Sequence, residues 1–345
     1  MKKIIRKRYL FIILAIIVAT NIPILATDDL GEELYEEEYV VTATRIPQSA
    51  EEAPGLTETI SGEEVDQGIE PVSEVLTKNG FTFSSYGGEQ SAACLQMDGV
   101  NDSRLQFLVN GIPLSPNQGG NVDLSYFPTV GLERIEVVHG PLSALYGANA
   151  LGGVVNIITD LTGSSKNILS FTGGSFSSRR WGAAFAQERW GVALGGNITD
   201  GHRSHSETEG SYVSGQFDLF QNGEEYLTFH GNFMAKDAKL PGHLTDGGRG
   251  HQKDQRLLAD LSGKTQWLSG IWEYKIYAQQ QECYHESYDW GTKDTHHVAN
   301  YGIDVAALYE VANHQLLVGS MFKIDSVDST ASGQHTLDNF GLYLQ

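Results

Sequence analysis

The sequence has few cysteines, few prolines and few basic residues, and it has no long apolar run after its first 26 residues. Its two cysteines, Cys94 and Cys283, are far apart and form either one bridge or two unpaired buried thiols. Nine prolines against 39 glycines and 15 tyrosines are typical of many strands joined by polar turns. No later segment has the ~20 consecutive apolar residues of a membrane-spanning helix.

Basic residues are outnumbered, 23 against 43 acidic ones, which gives a net charge of -20. Removing the five basic residues at the extreme N-terminus from -20 leaves -25 for the rest of the chain. A surface this acidic argues against binding to nucleic acid and against a polybasic membrane anchor.

The first 26 residues read as a secretory signal peptide. Basic residues between Lys2 and Arg8 precede an apolar run, Tyr9–Ala19, and Ile24–Ala26 is a small-residue cleavage site. The apolar run is well short of the ~20 residues that span a bilayer. We therefore expect export and a mature chain that begins near Thr27.

Residues 27–38 form an acidic tail with few apolar side chains, which predicts an unstructured segment. The tail leads into an isolated β-prone pentapeptide, Tyr39–Ala43. Such a segment is either the first strand of a domain or an edge peptide that pairs with another chain.

Residues 56–160 have the pattern of one small α+β domain. Ser61 is a predicted helix N-cap, and Pro71 begins a second helix. Asn110-Gly111 predicts a hairpin turn, and Leu132–Thr159 reads as a strand, a glycine-rich turn and a second strand.

From residue 161 onward the chain alternates polar and apolar residues over long stretches. Around Tyr226 to Phe233, one face is polar and the other apolar, as expected of a strand between a lumen and lipid. About ten such strands are predicted, with a long polar loop at 236–255. The alternation alone suits a soluble sandwich as well as a transmembrane barrel.

The segment LERIEVVHGPLSALYGANALGGVVNIIT at Leu132–Thr159 closely resembles the end of the plug domain in TonB-dependent outer-membrane receptors. Tyr39–Ala43 resembles the Ton box of the same family, and the cobalamin and siderophore receptor branch is the most similar. The resemblance implies a mainly β chain, in which an α+β plug domain precedes an incomplete antiparallel transmembrane β-barrel. It places a signal peptide at 1–26, a periplasmic acidic tail with the Ton box at 27–55, the plug at 56–160 and the N-terminal part of the barrel at 161–345.

The function that the resemblance implies is active uptake of a scarce, bulky ligand such as a ferric siderophore, cobalamin or haem. The chain would lie in the cell outer membrane of a Gram-negative envelope, and its partners would be TonB with the inner-membrane energising complex, the ligand and outer-membrane lipid. No bond is made or broken, so we expect no enzyme activity and no cofactor.

Two groups of binding residues follow from the resemblance. The expected TonB-binding residues are Tyr39, Val40, Val41, Thr42 and Ala43. The expected ligand-binding residues lie in two polar loops of the plug and are Gly88, Glu89, Gln90, Ser91, Ser115, Asn117, Gln118 and Asn121. The alternative for each loop is a plain turn.

Two positions depart from the family pattern. Receptors of this kind usually carry an arginine before Gly99 and before Gly140, and these arginines pair with barrel glutamates. Here the latch positions hold Asp98 and His139. An acidic side chain repels a barrel carboxylate, which puts the usual latch and transport in doubt. The alternative is a pair between Asp98 and His139 that responds to pH near neutrality.

Enzyme and metal motifs are weak or absent. Neither G-x-S-x-G nor H-E-x-x-H occurs, and Gly263-Lys264-Thr265 imitates a phosphate loop inside an alternating strand. The polar cluster at 202–209, with two histidines and two glutamates, is either a metal site or a solvated loop, and the same alternatives hold for the histidine pair at 296–297.

The length of the chain leaves two further classes of protein open. A plugged barrel of about 22 strands of roughly ten residues needs ~220 residues, whereas 161–345 supplies 185. We therefore expect a part of a receptor, whose open sheet edge cannot persist in lipid. The alternatives are a non-transporting remnant or ligand-binding protein, and a soluble secreted β-sandwich enzyme.

Overall fold

The computed structural model describes residues 39–40, 48–49, 56–65, 70–85, 93–116, 121–125, 127–147, 149–162, 167–243, 247–312 and 314–345. All of them belong to one compact unit, Glu38–Gln345. The expected signal peptide and acidic tail lie outside these residues. Within the described ranges, no helix combines the length and the apolar character needed to cross a membrane.

The described residues of the N-terminal part form ten short strands, two short α-helices and two 3₁₀ turns at Gly62–Glu64 and Asp102–Arg104. In chain order its elements are β1 (Tyr39–Val40), β2 (Gln48–Ser49), β3 (Thr57–Ser61), α1 (Val72–Lys78), β4 (Thr82–Ser85), β5 (Ala93–Met97), β6 (Val100–Asn101), β7 (Leu105–Val109), β8 (Ile112–Pro113), β9 (Leu132–His139), α2 (Ser143–Tyr146) and β10 (Gly153–Thr159).

The plug is built around a five-stranded sheet in the order β3-β9-β10-β7-β8, with a second sheet of β4-β5-β6. Strands β9 and β10 are antiparallel neighbours, which confirms the predicted strand, glycine turn and strand. Asn110 and Gly111 have positive φ angles of 51° and 78°, as the predicted hairpin turn between β7 and β8 requires. Apolar side chains from α1 and from the sheet, such as Leu76, Phe107 and Ile135, fill a core with almost no exposure.

The two predicted helix starts are also present. The Ser61 hydroxyl accepts a hydrogen bond from the Glu63 backbone N–H at 3.2 Å and caps the first 3₁₀ turn. Pro71 stands at the N-cap of α1 with extended backbone angles. The element that follows Ser61 is a 3₁₀ turn of only three residues, Gly62–Glu64, which is shorter than the predicted helix.

The remainder of the chain is a single antiparallel sheet of ten strands in sequence order, called here the wall sheet. Its strands are β11 (Ile168–Gly173), β12 (Arg179–Ala186), β13 (Trp190–Thr199), β14 (Thr208–Asn222), β15 (Glu225–Leu240), β16 (Gly250–Trp267), β17 (Gly270–Ser287), β18 (Thr292–Val311), β19 (His314–Ser329) and β20 (Gly333–Leu344). The number agrees with the sequence prediction.

The predicted bounds of the polar loop, 236 and 255, are both wrong. Strand β15 continues to Leu240 and β16 begins at Gly250, so only 241–249 connects them. The polar side chains that suggested a loop, among them Lys236 and Asp254, are buried inside the sheet. A strand that lines a polar interior carries polar side chains on its inner face. In sequence, such a polar stretch resembles a loop, and this is why the prediction was wrong.

The two faces of the wall sheet differ in chemistry. One row of side chains is aligned across eight strands by the strand register and points away from the plug: Trp190, Phe217, Phe229, Leu261, Ile276, Ile303, Phe322 and Phe340. Seven of these eight are exposed large hydrophobic residues. The opposite face carries buried polar side chains and packs on the plug core, to which Met234, Leu258 and Tyr277 contribute.

Candidate functional site

The contact between the plug and the wall sheet is the richest polar site in the described chain. Wall strands β15, β16 and β17 direct charged side chains inward at Lys236, Arg256 and Lys275. Each of the three cations reaches an oxygen atom of the plug. The plug segment that they reach extends from the β7–β8 turn to residue 125.

Lys236 forms a buried ion pair with Asp123. Its Nζ lies 2.6 Å from Asp123 Oδ2 and donates to the Ser125 hydroxyl at 2.9 Å. The two side chains are only 1% and 6% exposed. Burial alone raises the pKa of the Asp123 carboxyl, but the Lys236 charge and the hydrogen bonds from Lys236 and Ser125 outweigh it, so that the pKa lies below the ordinary 3.8.

Arg256 is the largest fully buried side chain, at 1% exposure. Its Nη2 donates to the Ser115 carbonyl at 3.1 Å and to Gln281 Oε1 at 2.9 Å, and its guanidinium lies 5.7 Å from the Phe127 ring centroid. Its Nε and Nη1 are buried without a hydrogen-bond partner. A guanidinium carries five N–H donors, so this one is only partly bonded.

Two further bonds join plug and wall. Arg180 of β12 forms a two-pronged salt bridge with Glu74 of α1, with N–O distances of 2.8 and 2.6 Å. Lys275 of β17 donates to the Asn110 carbonyl at 2.8 Å in the β7–β8 turn. The wall therefore supplies the cations at these contacts, and the plug supplies the oxygens.

None of these wall cations was predicted from the sequence. A signal was available, because Lys236, Asp254 and Arg256 are charged residues at inward positions of a period-two pattern. The assignment of 236–255 to a loop hid that signal at Lys236 and Asp254. Asp123 and Glu74 belong to no sequence motif, and only the fold places them in contact with the wall sheet.

The structure brings Asp98 and His139 into contact. His139 Nδ1 lies 2.7 Å from Asp98 Oδ2, and His139 Nε2 lies 3.0 Å from Glu58 Oε1. The ring also stacks on Phe81, with 6.2 Å between the centroids. Only a doubly protonated ring donates to both carboxylates. The contacts of His139 are within the plug, and Asp98 also borders an open pocket of about 610 Å³.

The predicted ligand-binding residues fall into two groups. Ser115 and Asn121 are described, whereas Gly88, Glu89, Gln90, Ser91, Asn117 and Gln118 lie outside the described residues. Ser115 is 2% exposed, its N–H faces Gln279 Oε1 at 3.4 Å, and its hydroxyl bonds Asn300. Asn121 is half-buried beside the Asp123 segment. Ser115 thus joins the wall contact instead of standing exposed at a loop tip.

Of the predicted TonB-binding residues, Tyr39 and Val40 are described and Val41, Thr42 and Ala43 are not. Tyr39 and Val40 form strand β1, which pairs antiparallel with Ser49 and Gln48 of β2. Tyr39 and Val40 therefore have the extended backbone that strand addition needs.

The residues of the weaker motifs were also located in the structure. No group of three or more histidine, cysteine or acidic side chains among the described residues has the geometry of a metal site. Gly263-Lys264-Thr265 lies within β16, as the alternation predicts. Cys94 and Cys283 are both buried, and no disulfide joins them. His296 points inward and bonds the Ser329 hydroxyl, whereas His297 points outward.

Comparison with known proteins agrees with this architecture. Residues 49–154 match the family model described as TonB-dependent Receptor Plug Domain. A 139-residue stretch is 34% identical to the vitamin B12 transporter BtuB of Vibrio vulnificus (strain CMCP6), covering 39% of this chain and 23% of BtuB.

Two solved structures show the same fold. The pyoverdine outer membrane receptor FpvA of Pseudomonas aeruginosa PAO1 superposes with a TM-score of 0.70 at 17% identity, covering 84% of this chain and 49% of that one. A ferric enterobactin receptor (PfeA) mutant from Pseudomonas aeruginosa gives 0.68 at 17% identity, covering 88% and 56%. This chain thus spans about half the length of the solved structures.

The matched proteins are receptors and transporters, and none of those named is an enzyme. The plug match, the BtuB similarity and the shared fold point to one family. Residues 49–154 are thus similar to the plug domain of TonB-dependent receptors, and the plug and the wall sheet together share the fold of the two solved receptors.

Proposed function

We propose that this chain is the plug and part of the barrel of an outer-membrane receptor that takes up a scarce, bulky ligand with energy from TonB. The observation that carries the proposal is a plug packed against the polar face of a strand wall whose other face is apolar. A sheet with these two faces suits lipid outside and a filled lumen inside.

The connections between wall strands suggest an orientation. Turns at 223–224, 268–269 and 312–313 are two residues long and lie at one end of the sheet. Loops at 200–207 and 241–249 lie at the other end. Barrels of this type have short periplasmic turns and longer extracellular loops, so the longer loops face outside.

The relatives support this ligand class, since their names refer to vitamin B12, pyoverdine and ferric enterobactin. We place the ligand at the outer face of the plug, with contacts from the loops that contain Gly88–Ser91 and Asn117–Asn121, whereas the buried Ser115 attaches the second loop to the wall sheet. The choice among ferric siderophore, cobalamin and haem rests with the test below.

TonB binding is assigned to Tyr39–Ala43 by strand addition, which draws its affinity from main-chain hydrogen bonds. Pairing of Tyr39 and Val40 with β2 supports an extended conformation at the start of this segment. TonB then replaces β2 as the partner of β1 or pairs with the opposite edge of β1.

A proline at Val41 tests the proposal in the complete receptor. Val41→Pro removes a backbone donor and fixes φ, which a paired strand tolerates poorly, whereas Val41→Ala keeps the donor. Cells carrying either variant are assayed with radiolabelled vitamin B12, ferric enterobactin, ferric pyoverdine and haem. We expect Val41→Pro to abolish uptake of the transported probe with surface binding intact, and Val41→Ala to retain both.

Uptake that survives Val41→Pro would remove the TonB assignment. Binding lost together with uptake would indicate misfolding, which heat-modifiable migration of the folded barrel on gels detects.

A second candidate is a ligand-binding receptor that does not transport. The contacts of His139 with Asp98 and Glu58 favour it, because they occupy both latch positions within the plug. Surface binding without uptake by the unmodified receptor would support this candidate over transport.

A further inference from the structure

We propose that Asp254 binds two wall cations, Lys236 and Arg256, once the plug has moved away from them. Asp254 thereby determines how readily the plug is released. The inference rests on the proposed function, in which the plug moves. It makes Asp254 a positioning residue, because it acts through the two cations and touches no ligand.

The strand register places the three side chains together on the inner face of the wall. Lys236 of β15 is directly opposite Asp254 of β16. Arg256 is two residues further along β16, and a strand brings every second side chain to the same face. Asp254 is 2% exposed, so this cluster is closed to water while the plug is seated.

Both cations now use plug oxygens. Lys236 binds Asp123 and the Ser125 hydroxyl, and Arg256 donates to the Ser115 carbonyl. Movement of the segment 115–125 away from the wall breaks all of these bonds at once. The Gln281 amide oxygen is the wall acceptor that stays with Arg256.

Asp254 and Arg256 both have unused bonding capacity. Asp254 Oδ2 accepts from Gln252 Nε2 at 2.6 Å, but Oδ1 has no hydrogen-bond partner. Cys283 faces Asp254 from β17, and its thiol is a weak donor. Arg256 Nε and Nη1 are likewise unpaired. A buried acceptor and two buried donors therefore remain unfilled on one strand face.

Asp254 is costly in the seated state, because its buried carboxyl has an oxygen without a hydrogen-bond partner. Release of the plug admits water to the cluster, and without Asp254 the two released cations would have only water and neutral wall partners. With Asp254 in reach, the cations exchange a plug oxygen for a wall carboxylate, and the released state is stabilised. Replacing Asp254 by a neutral residue should therefore hold the plug in place.

Hydrogen exchange in the complete receptor measures plug release without any ligand. We expect Asp254→Asn to slow backbone exchange of the segment 105–125 roughly tenfold, because the open state loses its ion pairs. Asp254→Glu should restore the unmodified rate. Asp254→Ser is a second neutral variant in case Asp254→Asn fails to fold, and gel migration of the folded barrel checks each protein.

The matched control is Asp260→Asn. Asp260 is a buried inward carboxylate on the same strand, but it contacts His230 at 3.0 Å and Ser262 at 2.7 Å, both in the wall. Its substitution should leave exchange at 105–125 unchanged. Equal slowing by Asp260→Asn, or unchanged or faster exchange in the neutral Asp254 variants, would overturn the inference.

Uptake adds a second readout. Asp254→Asn should lower the maximal uptake rate of the transported probe and leave surface affinity unchanged. A receptor that takes up none of the radiolabelled probes would contradict the proposed function, whereas the exchange result would still decide the role of Asp254.

Discussion

The ion pair of Lys236 with Asp123 shows how single residues hold the plug. Both side chains are almost fully buried, so water screens their attraction little. Such a pair adds little over apolar packing, but loss of one partner costs about 3–5 kcal/mol because a charge stays buried alone. We therefore expect the contact between the plug and the wall sheet to depend on the charge of Asp123.

Acid should therefore loosen the plug through Asp123. The pKa of this carboxyl is lowered in the folded protein, so its contribution to stability is complete above the ordinary 3.8 and is lost as pH falls below that value. We expect plug protection against hydrogen exchange, corrected for intrinsic rates, to fall below about pH 4. Asp123→Asn should weaken protection at neutral pH and flatten this acid dependence. An acid dependence as steep in Asp123→Asn as in the unmodified receptor would contradict the assignment.

At the scale of elements, tyrosines of the wall sheet pack over glycines on neighbouring strands. Tyr277 is directly opposite Gly302, and a Cβ added to Gly302 would lie 2.2 Å from Tyr277 Cζ. The same pairing occurs between Tyr212 and Gly195. An aromatic ring over a strand glycine restores the contact that the missing side chain cannot make.

Gly302→Ala should therefore destabilise the complete receptor by about 1–3 kcal/mol, because Tyr277 must leave its place against the plug core. Gly341→Ala is the control, since its added Cβ meets only Met321 Cε at 3.5 Å. Urea unfolding followed by gel migration of the folded barrel measures both. Equal midpoints for Gly302→Ala and Gly341→Ala would show that the tyrosine packing is dispensable.

Elements with a strong local pattern were predictable from the sequence. The β9–β10 pair, the Asn110-Gly111 turn and the number of wall strands follow from alternation and turn chemistry. The extension of β15 and β16 was not, because polar side chains that face a plug look like a loop. Contacts such as Arg180 with Glu74 join residues 106 positions apart, and no local pattern encodes them.

Across the molecule, the wall sheet of ten described strands carries an apolar row over eight of them on one face and contacts the plug with the other. The plug is attached by cations of the wall, at Arg180, Lys236, Arg256 and Lys275. The latch positions Asp98 and His139 contact each other within the plug. In the proposed function, TonB detaches the plug from these wall cations.

The most direct test of this account is the dependence of uptake on TonB. Cells that carry the complete receptor, with or without TonB, are given radiolabelled vitamin B12, ferric enterobactin or ferric pyoverdine, and surface binding and uptake are measured separately. We expect equal surface binding in both strains and uptake only where TonB is present. Equal uptake without TonB would contradict the account.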